Sequence, residues 1–328
     1  MRLPLRALAA VVLVTVSAAC SPAPAAHIEP AGAIRVVVQP EGDVVVPAEP
    51  QRMLVLDEYA ALELLAIEVQ PALVFATLRS PIARTVFDQE RIPVQDEPTF
   101  LAEPDFEAVA AAAPDVIVIS GTGPLAARFD ELSAVAPTVV VPYSRPWRDV
   151  LATTAAAFGC EEAAAGVVAH VDARVVALRE RVAARPLSVS VLLGWDGGIF
   201  TPTRATPVAA LLEEAGIGRP DVQRDPPAQG DPTISGVSPE DVAAHDAAVV
   251  AVLSGGYYDA ATVRDAPTFA SLADHAVDVD GDTWLGSHPF AISWILDDLT
   301  ALADGTDRVG AVADAAGRWT AFSAATAG

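Results

Sequence analysis

The sequence predicts an α/β protein of two lobes, each with a parallel sheet flanked by helices, joined by a single long linking helix. Three observations carry that prediction. Short apolar runs alternate with helix-period stretches through both halves of the 328-residue chain. One half echoes the other, and a much longer helix-period stretch, Glu162 to Arg185, lies between them.

In that central stretch Ala164, Val167, Val171, Val175, Leu178 and Val182 recur three and four apart and so share one helix face. Glu162, His170, Arg174 and Arg181 make the opposite face polar. Glu161 and Glu162 at the start and Arg179, Arg181 and Arg185 at the end suit the helix dipole. Gly159 and Pro186 bracket the helix, while Cys160 is a poor N-cap. At 1.5 Å per residue it spans about 35 Å, enough to hold two lobes at a fixed separation.

The echo pairs Asp105-Phe106-Glu107-Ala108-Val109, followed by the strand Val116 to Ser120, with Ser238-Pro239-Glu240-Asp241-Val242, followed by Val249 to Ser254. Each unit runs glutamate, short helix, buried strand, Ser-Gly, as expected of a structural repeat.

The chain begins with a leader, residues 1–19. Arg2 and Arg6 form a basic region, Leu8 to Val16 an apolar one, and Ser17-Ala18-Ala19 a small-residue cleavage site before Cys20. This resembles a bacterial lipoprotein signal, with Ser17 where Leu is usual, and implies lipidation of Cys20; a plain secretory signal is the alternative. Residues 20–33, with Pro22, Pro24 and Pro30, read as a tether.

The first lobe is expected over 34–159. It contains a hairpin (Arg35 to Gln39 and Asp43 to Val46), a strand at Met53 to Leu56, a helix from Glu58 to Ile67, a strand at Ala72 to Ala76, the Glu107 unit and a strand at Val139 to Val141. The linking helix occupies 160–186. The second lobe, 187–328, starts with a strand at Val189 to Leu193, a helix from Pro207 to Ala215 and a loop from Arg219 to Pro232. The Glu240 unit, a strand at Ala276 to Val279, a loop at Trp284 to Pro289 and a helix from Phe290 to Leu302 follow.

Composition excludes some functions. All 20 basic residues are Arg against 43 acids, for a net charge of −23 that becomes −25 once the leader is removed. Such a surface repels nucleic acids. No P-loop, Gly-x-Ser-x-Gly or His-Glu-x-x-His is present, and Gly121-Thr122-Gly123-Pro124 lacks the third glycine of a dinucleotide loop. No catalytic residue, cofactor or metal site is assigned: His27, His170, His245, His275 and His288 show no metal-ligand spacing, and Cys160 reads as a small buried hydrophobe.

Ligands of open parallel sheets bind outside the carboxyl ends of strands. By that rule Arg79, Tyr143, Arg145 and Trp147 of the first lobe face Trp195, Arg204, Tyr257, Tyr258 and Trp284 of the second, with His288 in the last loop. Aromatic residues are only 6% of the chain, yet several cluster in these loops. Rings supply apolar contact, and Arg pairs with anionic oxygens.

The chain resembles the iron-siderophore and cobalamin substrate-binding proteins of ABC importers, of the class III periplasmic-binding-protein type. The resemblance runs from about Val44 to Leu302. It rests on Val46-Pro47-Ala48-Glu49-Pro50-Gln51-Arg52, the Phe106 to Ile117 unit, Ala136-Pro137-Thr138-Val139, the linking helix, Ile234-Ser235 through Val242, and Trp284. It implies that Glu107 and Glu240 dock onto arginines of the permease. The glycine usual after the first lobe helix is replaced around Ile67-Glu68. The expected protein is a monomeric extracytoplasmic lipoprotein, anchored to the cell membrane through lipid such as palmitate. It captures a ferric siderophore between its lobes and passes it to an ABC permease, without binding nucleic acid. The alternatives are haem or cobalamin as cargo, or a chelatase-like enzyme or surface sensor.

Overall fold

The computed structural model describes residues 33–76, 79–96, 103–142, 145–227 and 232–327. Cys20, the tether with His27, and Tyr143 lie outside the described residues.

The first lobe opens with an antiparallel hairpin of β1 (Ile34–Val37) and β2 (Val44–Pro47). There follow β3 (Met53–Val55), α1 (Glu58–Leu65), β4 (Leu73–Ala76), α2 (Pro81–Glu90), β5 (Val94–Asp96), α3 (Phe106–Ala111) and β6 (Val116–Ser120). The lobe closes with α4 (Gly123–Ala127), α5 (Phe129–Val135), β7 (Thr138–Val141) and α6 (Trp147–Phe158). Its sheet, in the order β5-β4-β3-β6-β7, is parallel throughout. β6 is buried at all five residues, as a strand covered on both faces must be.

The linking helix is α7 (Glu161–Ala184), and its buried residues are the six predicted ones, Ala164 through Val182. Cys160 stands at its N-cap without a side-chain cap bond.

The second lobe contains β8 (Val189–Trp195), β9 (Gly198–Pro202), α8 (Pro207–Glu214), α9 (Asp221–Arg224), β10 (Ile234–Val237), a 3-10 turn at Pro239–His245 and β11 (Val249–Ser254). After these come α10 (Ala260–Arg264), β12 (Ala276–Asp280), α11 (Gly281–Trp284), α12 (Pro289–Ala303) and α13 (Ala315–Thr326). Its sheet order is β10-β9-β8-β11-β12, parallel only from β8 to β12. β9 and β10 run antiparallel, a departure from the all-parallel expectation. The cause is local: Asp196 (φ 48°) and Gly197 (φ 73°) form a two-residue hairpin turn that sends the chain back beside β8.

The repeat is visible in topology. β6 lies between β3 and β7, and β11 lies between β8 and β12. α12 is buried nearly all round, as its continuous apolar sequence requires. It packs on α7, where Arg174 bonds the Ser293 hydroxyl at 2.6 Å and pairs with Asp297. α13, within the segment assigned to the second lobe, returns to the first: Gln89 of α2 donates to Thr320 at 2.8 Å, and the Trp319 indole donates to Glu90 at 2.5 Å.

Candidate functional site

The carboxyl ends of the parallel strands in the two sheets meet at a seam. β3 runs into Asp57 and Glu58, and β4 leads toward Arg79 and Ser80; from the other lobe, β11 leads into Gly255 to Tyr258 and β12 into Gly281 and Asp282. The Arg79 guanidinium sits 4.9 Å from the centre of the Tyr257 ring, a cation–π contact across the lobes. The rings of Tyr59 and His288 face each other with centroids 6.5 Å apart.

Two carboxylates that the sequence reading passed over face the same seam. Glu58 and Asp282 are each 3% exposed. Burial, then the Asp282 and Asp57 charges, pushes Glu58 up to about 8 against the pull of Arg79 and Arg84. Burial and the Asp280 charge push Asp282 up to about 7, opposed by the Tyr257 backbone amide and Arg79. Around the pair the backbone is shaped to fit. Gly256 takes φ +60° and a Cβ there would lie 2.0 Å from Asp282 Oδ2, while a Cβ on Gly281 would meet the Tyr258 ring at 2.2 Å. The sequence marks Glu58 only as the start of a helix. The signal that could have found both acids is an acidic residue directly after a buried strand that points at the seam.

Of the predicted ligand residues, Arg79 and Tyr257 are brought together. Trp195 ends β8 with 41% of its surface exposed, leaning on Phe200 at 6.2 Å. Tyr258 is half-buried against the core, and Arg145 is exposed ahead of α6. Three predicted residues are corrected, and His288 lies at the seam as a buried helix cap. Trp147 begins α6 and is 3% exposed, because the stretch read as a loop is a helix whose apolar face starts there. Trp284 is wholly buried, donating its indole N–H to Asp298 at 2.9 Å. Arg204 follows β9, and the antiparallel turn carries it to the opposite end of the sheet, away from the carboxyl ends of the parallel strands, where it pairs with Glu213 at 3.0 Å. His288 caps α12, its Nδ1 accepting from the Ala291 amide at 3.1 Å; burial pulls it down to about 3, so it is neutral and that nitrogen is occupied.

Glu107 and Glu240 are both exposed in first turns, Glu107 of α3 behind the Asp105 N-cap and Glu240 of the 3-10 turn. Two hollows, of about 310 and 380 Å³, lie away from the seam, the first at the amino ends of β8, β11 and β12, where ligands of such sheets do not bind. Among the described residues no three His, Cys, Asp or Glu side chains could hold a metal ion, and no helix is long and apolar enough to cross a membrane.

Known proteins share this fold. The chain is 32% identical over 125 residues to the ferric enterobactin-binding periplasmic protein FepB of Escherichia coli O6:H1, a match covering 36% of this chain and 39% of that relative. The petrobactin-binding protein YclQ of Bacillus subtilis superposes with a TM-score of 0.68 at 17% identity, over 83% of this chain and 99% of that one. The periplasmic catecholate-siderophore binding protein VctP of Vibrio cholerae does so with a TM-score of 0.61 at 18% identity, over 82% and 100%. The sequence profile of one family, described as periplasmic binding protein, matches residues 101–273, more than half of the chain. With the two lobes, the single linking helix and the meeting of strand carboxyl ends, that match identifies the chain as a member of the periplasmic binding protein family.

Proposed function

We propose that the protein captures a ferric siderophore at the seam between its lobes and delivers it to the permease of an ABC importer. The observation that carries this reading is the meeting of the strand carboxyl ends of both sheets, with Arg79 over Tyr257 and Trp195 exposed at the end of β8. Arg79 and Arg145 pair with anionic chelate oxygens, and the rings cover apolar parts of the ligand. The relatives named for ferric enterobactin, petrobactin and a catecholate siderophore support this cargo class. The protein acts as a monomeric extracytoplasmic binding protein rather than an enzyme, tethered to the membrane by lipid on Cys20, with Glu107 and Glu240 docking the permease. The stiffness of α7 limits lobe movement to a small one.

Titration of the protein's intrinsic tryptophan fluorescence with ferric hydroxamates, catecholates and carboxylates, haem and cobalamin tests the reading. Saturable quenching by a ferric siderophore is the expected result. A response to haem or cobalamin alone changes the cargo, and no response to any compound overturns the proposal.

A further inference from the structure

Two other buried carboxylates of this fold, Asp57 and Asp298, are held by donors. Asp57 accepts from the Ala60 amide at 2.7 Å, the Ser120 amide at 2.8 Å and the Ser120 hydroxyl at 2.9 Å. Asp298 accepts from Trp284 at 2.9 Å and from the Gly310 amide and Arg318 at 2.8 Å each. Glu58 and Asp282 differ. Both are 3% exposed; among the described residues neither Glu58 oxygen has a hydrogen-bond partner, and the Asp282 carboxylate faces the Tyr257 backbone amide with no side-chain donor. A buried ionisable group without a partner is costly, which marks this pair as built for something that arrives.

The surroundings narrow what that is. Glu58 and Asp282 line a space of about 10 Å³ together with Tyr59, Ser80, Thr283 and His288 and the apolar Leu62, Ile82 and Ala83. That volume holds about one water-sized group. The charged groups facing the pair are Asp57, Arg79 and Arg84 from the first lobe and Asp280 from the second; neutral His288 adds no charge. Four carboxyl groups thus stand against two guanidiniums, and an arriving cation lets the raised pair give up the proton it holds. A bare metal ion is a poor match, since no triad of metal-ligating side chains forms. A water-sized cation with several N–H donors and no need of further ligands is an alkylammonium head.

We infer that Glu58 and Asp282 form a cation seat at the floor of the seam, which receives a protonated amine carried by the siderophore scaffold while the ferric chelate lies above it. This deepens the proposed function and rests on it. One lobe supplies each carboxylate, so the ammonium also bridges the lobes. Seating it displaces the proton that the empty seat retains.

The test uses matched pairs of ferric chelates titrated into the full chain: ferrioxamine B, a trihydroxamate with a free primary amine, against its N-acetyl form, and an amine-bearing ferric tricatecholate against its N-acetylated counterpart. The wild-type protein is expected to prefer the amine-bearing member of the pair it binds by about ten-fold or more, and the double variant Glu58→Gln/Asp282→Asn to lose that preference. In the wild-type protein, independently of any variant, affinity for the amine-bearing member rises up to about ten-fold per pH unit from pH 6 to 8, while that for the acetylated member stays flat. Equal affinity within both pairs, or a preference that is independent of pH and survives the double substitution, overturns the seat and leaves the siderophore reading standing. Binding of no ferric chelate overturns both.

Discussion

Replacing Glu63 by Gln makes the protein more stable at alkaline pH and leaves it nearly unchanged at acid pH. Glu63 lies on α1, 2% exposed, and its Oε1 has no hydrogen-bond partner. Burial alone raises its carboxyl from the ordinary 4.5 to about 8. Between those values the folded state holds a proton that the unfolded chain has released. Stability is therefore full below pH 4.5 and falls as pH rises to about 8. At about 1.36 kcal/mol per pH unit, the loss approaches roughly 4–5 kcal/mol. Gln keeps the shape of the neutral acid and cannot ionise, so at pH 9 the variant gains most of that energy, and at pH 5 it stays within about 1 kcal/mol of wild type. Urea unfolding followed by the buried Trp147, Trp284, Trp294 and Trp319 measures it. For a denaturant slope near 3 kcal/mol/M, the midpoint of the variant exceeds that of wild type by about 1.5 M at pH 9. The reasoning is refuted if the difference between variant and wild type is the same at pH 5 and pH 9.

Other consequences are as direct. Trp195→Ala is expected to weaken binding of the ferric siderophore by about 3- to 10-fold, read from quenching of the four remaining tryptophans; unchanged affinity removes this ring from the ligand surface. Gly256→Ala forces a Cβ into the left-handed region and against Asp282, so unfolding experiments are expected to show a loss of about 1–3 kcal/mol. A neutral result there means that the turn relaxes freely. Glu107→Arg together with Glu240→Arg should abolish uptake in cells while the purified protein binds its ferric siderophore as before. Uptake that persists removes these glutamates from permease docking.

Much of the architecture was legible because it depends on local pattern. The face of α7 follows from residues three and four apart, and the strands β3, β6 and β11 from continuous apolar runs. The β8–β9 hairpin is also written in the chain, as Asp196-Gly197, but the expected elements pass from the strand at Val189 to Leu193 straight to the helix at Pro207. Missing it placed Arg204 at the wrong end of the sheet. Trp147 and Trp284 show the limit of residue type as a guide. A tryptophan beyond a strand serves a ligand or the core according to what packs beside it, and here α6 and the Asp298 carboxylate claim the two rings.

The sequence by itself determined that the chain is a two-lobed α/β protein with a rigid helix between its halves, because backbone periodicity and burial are encoded within each segment. Only the tertiary structure decided the content of the seam. Glu58 and Asp282 are 224 positions apart and each looks like an ordinary first-turn acid. Their desolvation, their lack of side-chain donors and their shared space with His288 arise when the two lobes close on one another, an effect of long-range packing that no local pattern records.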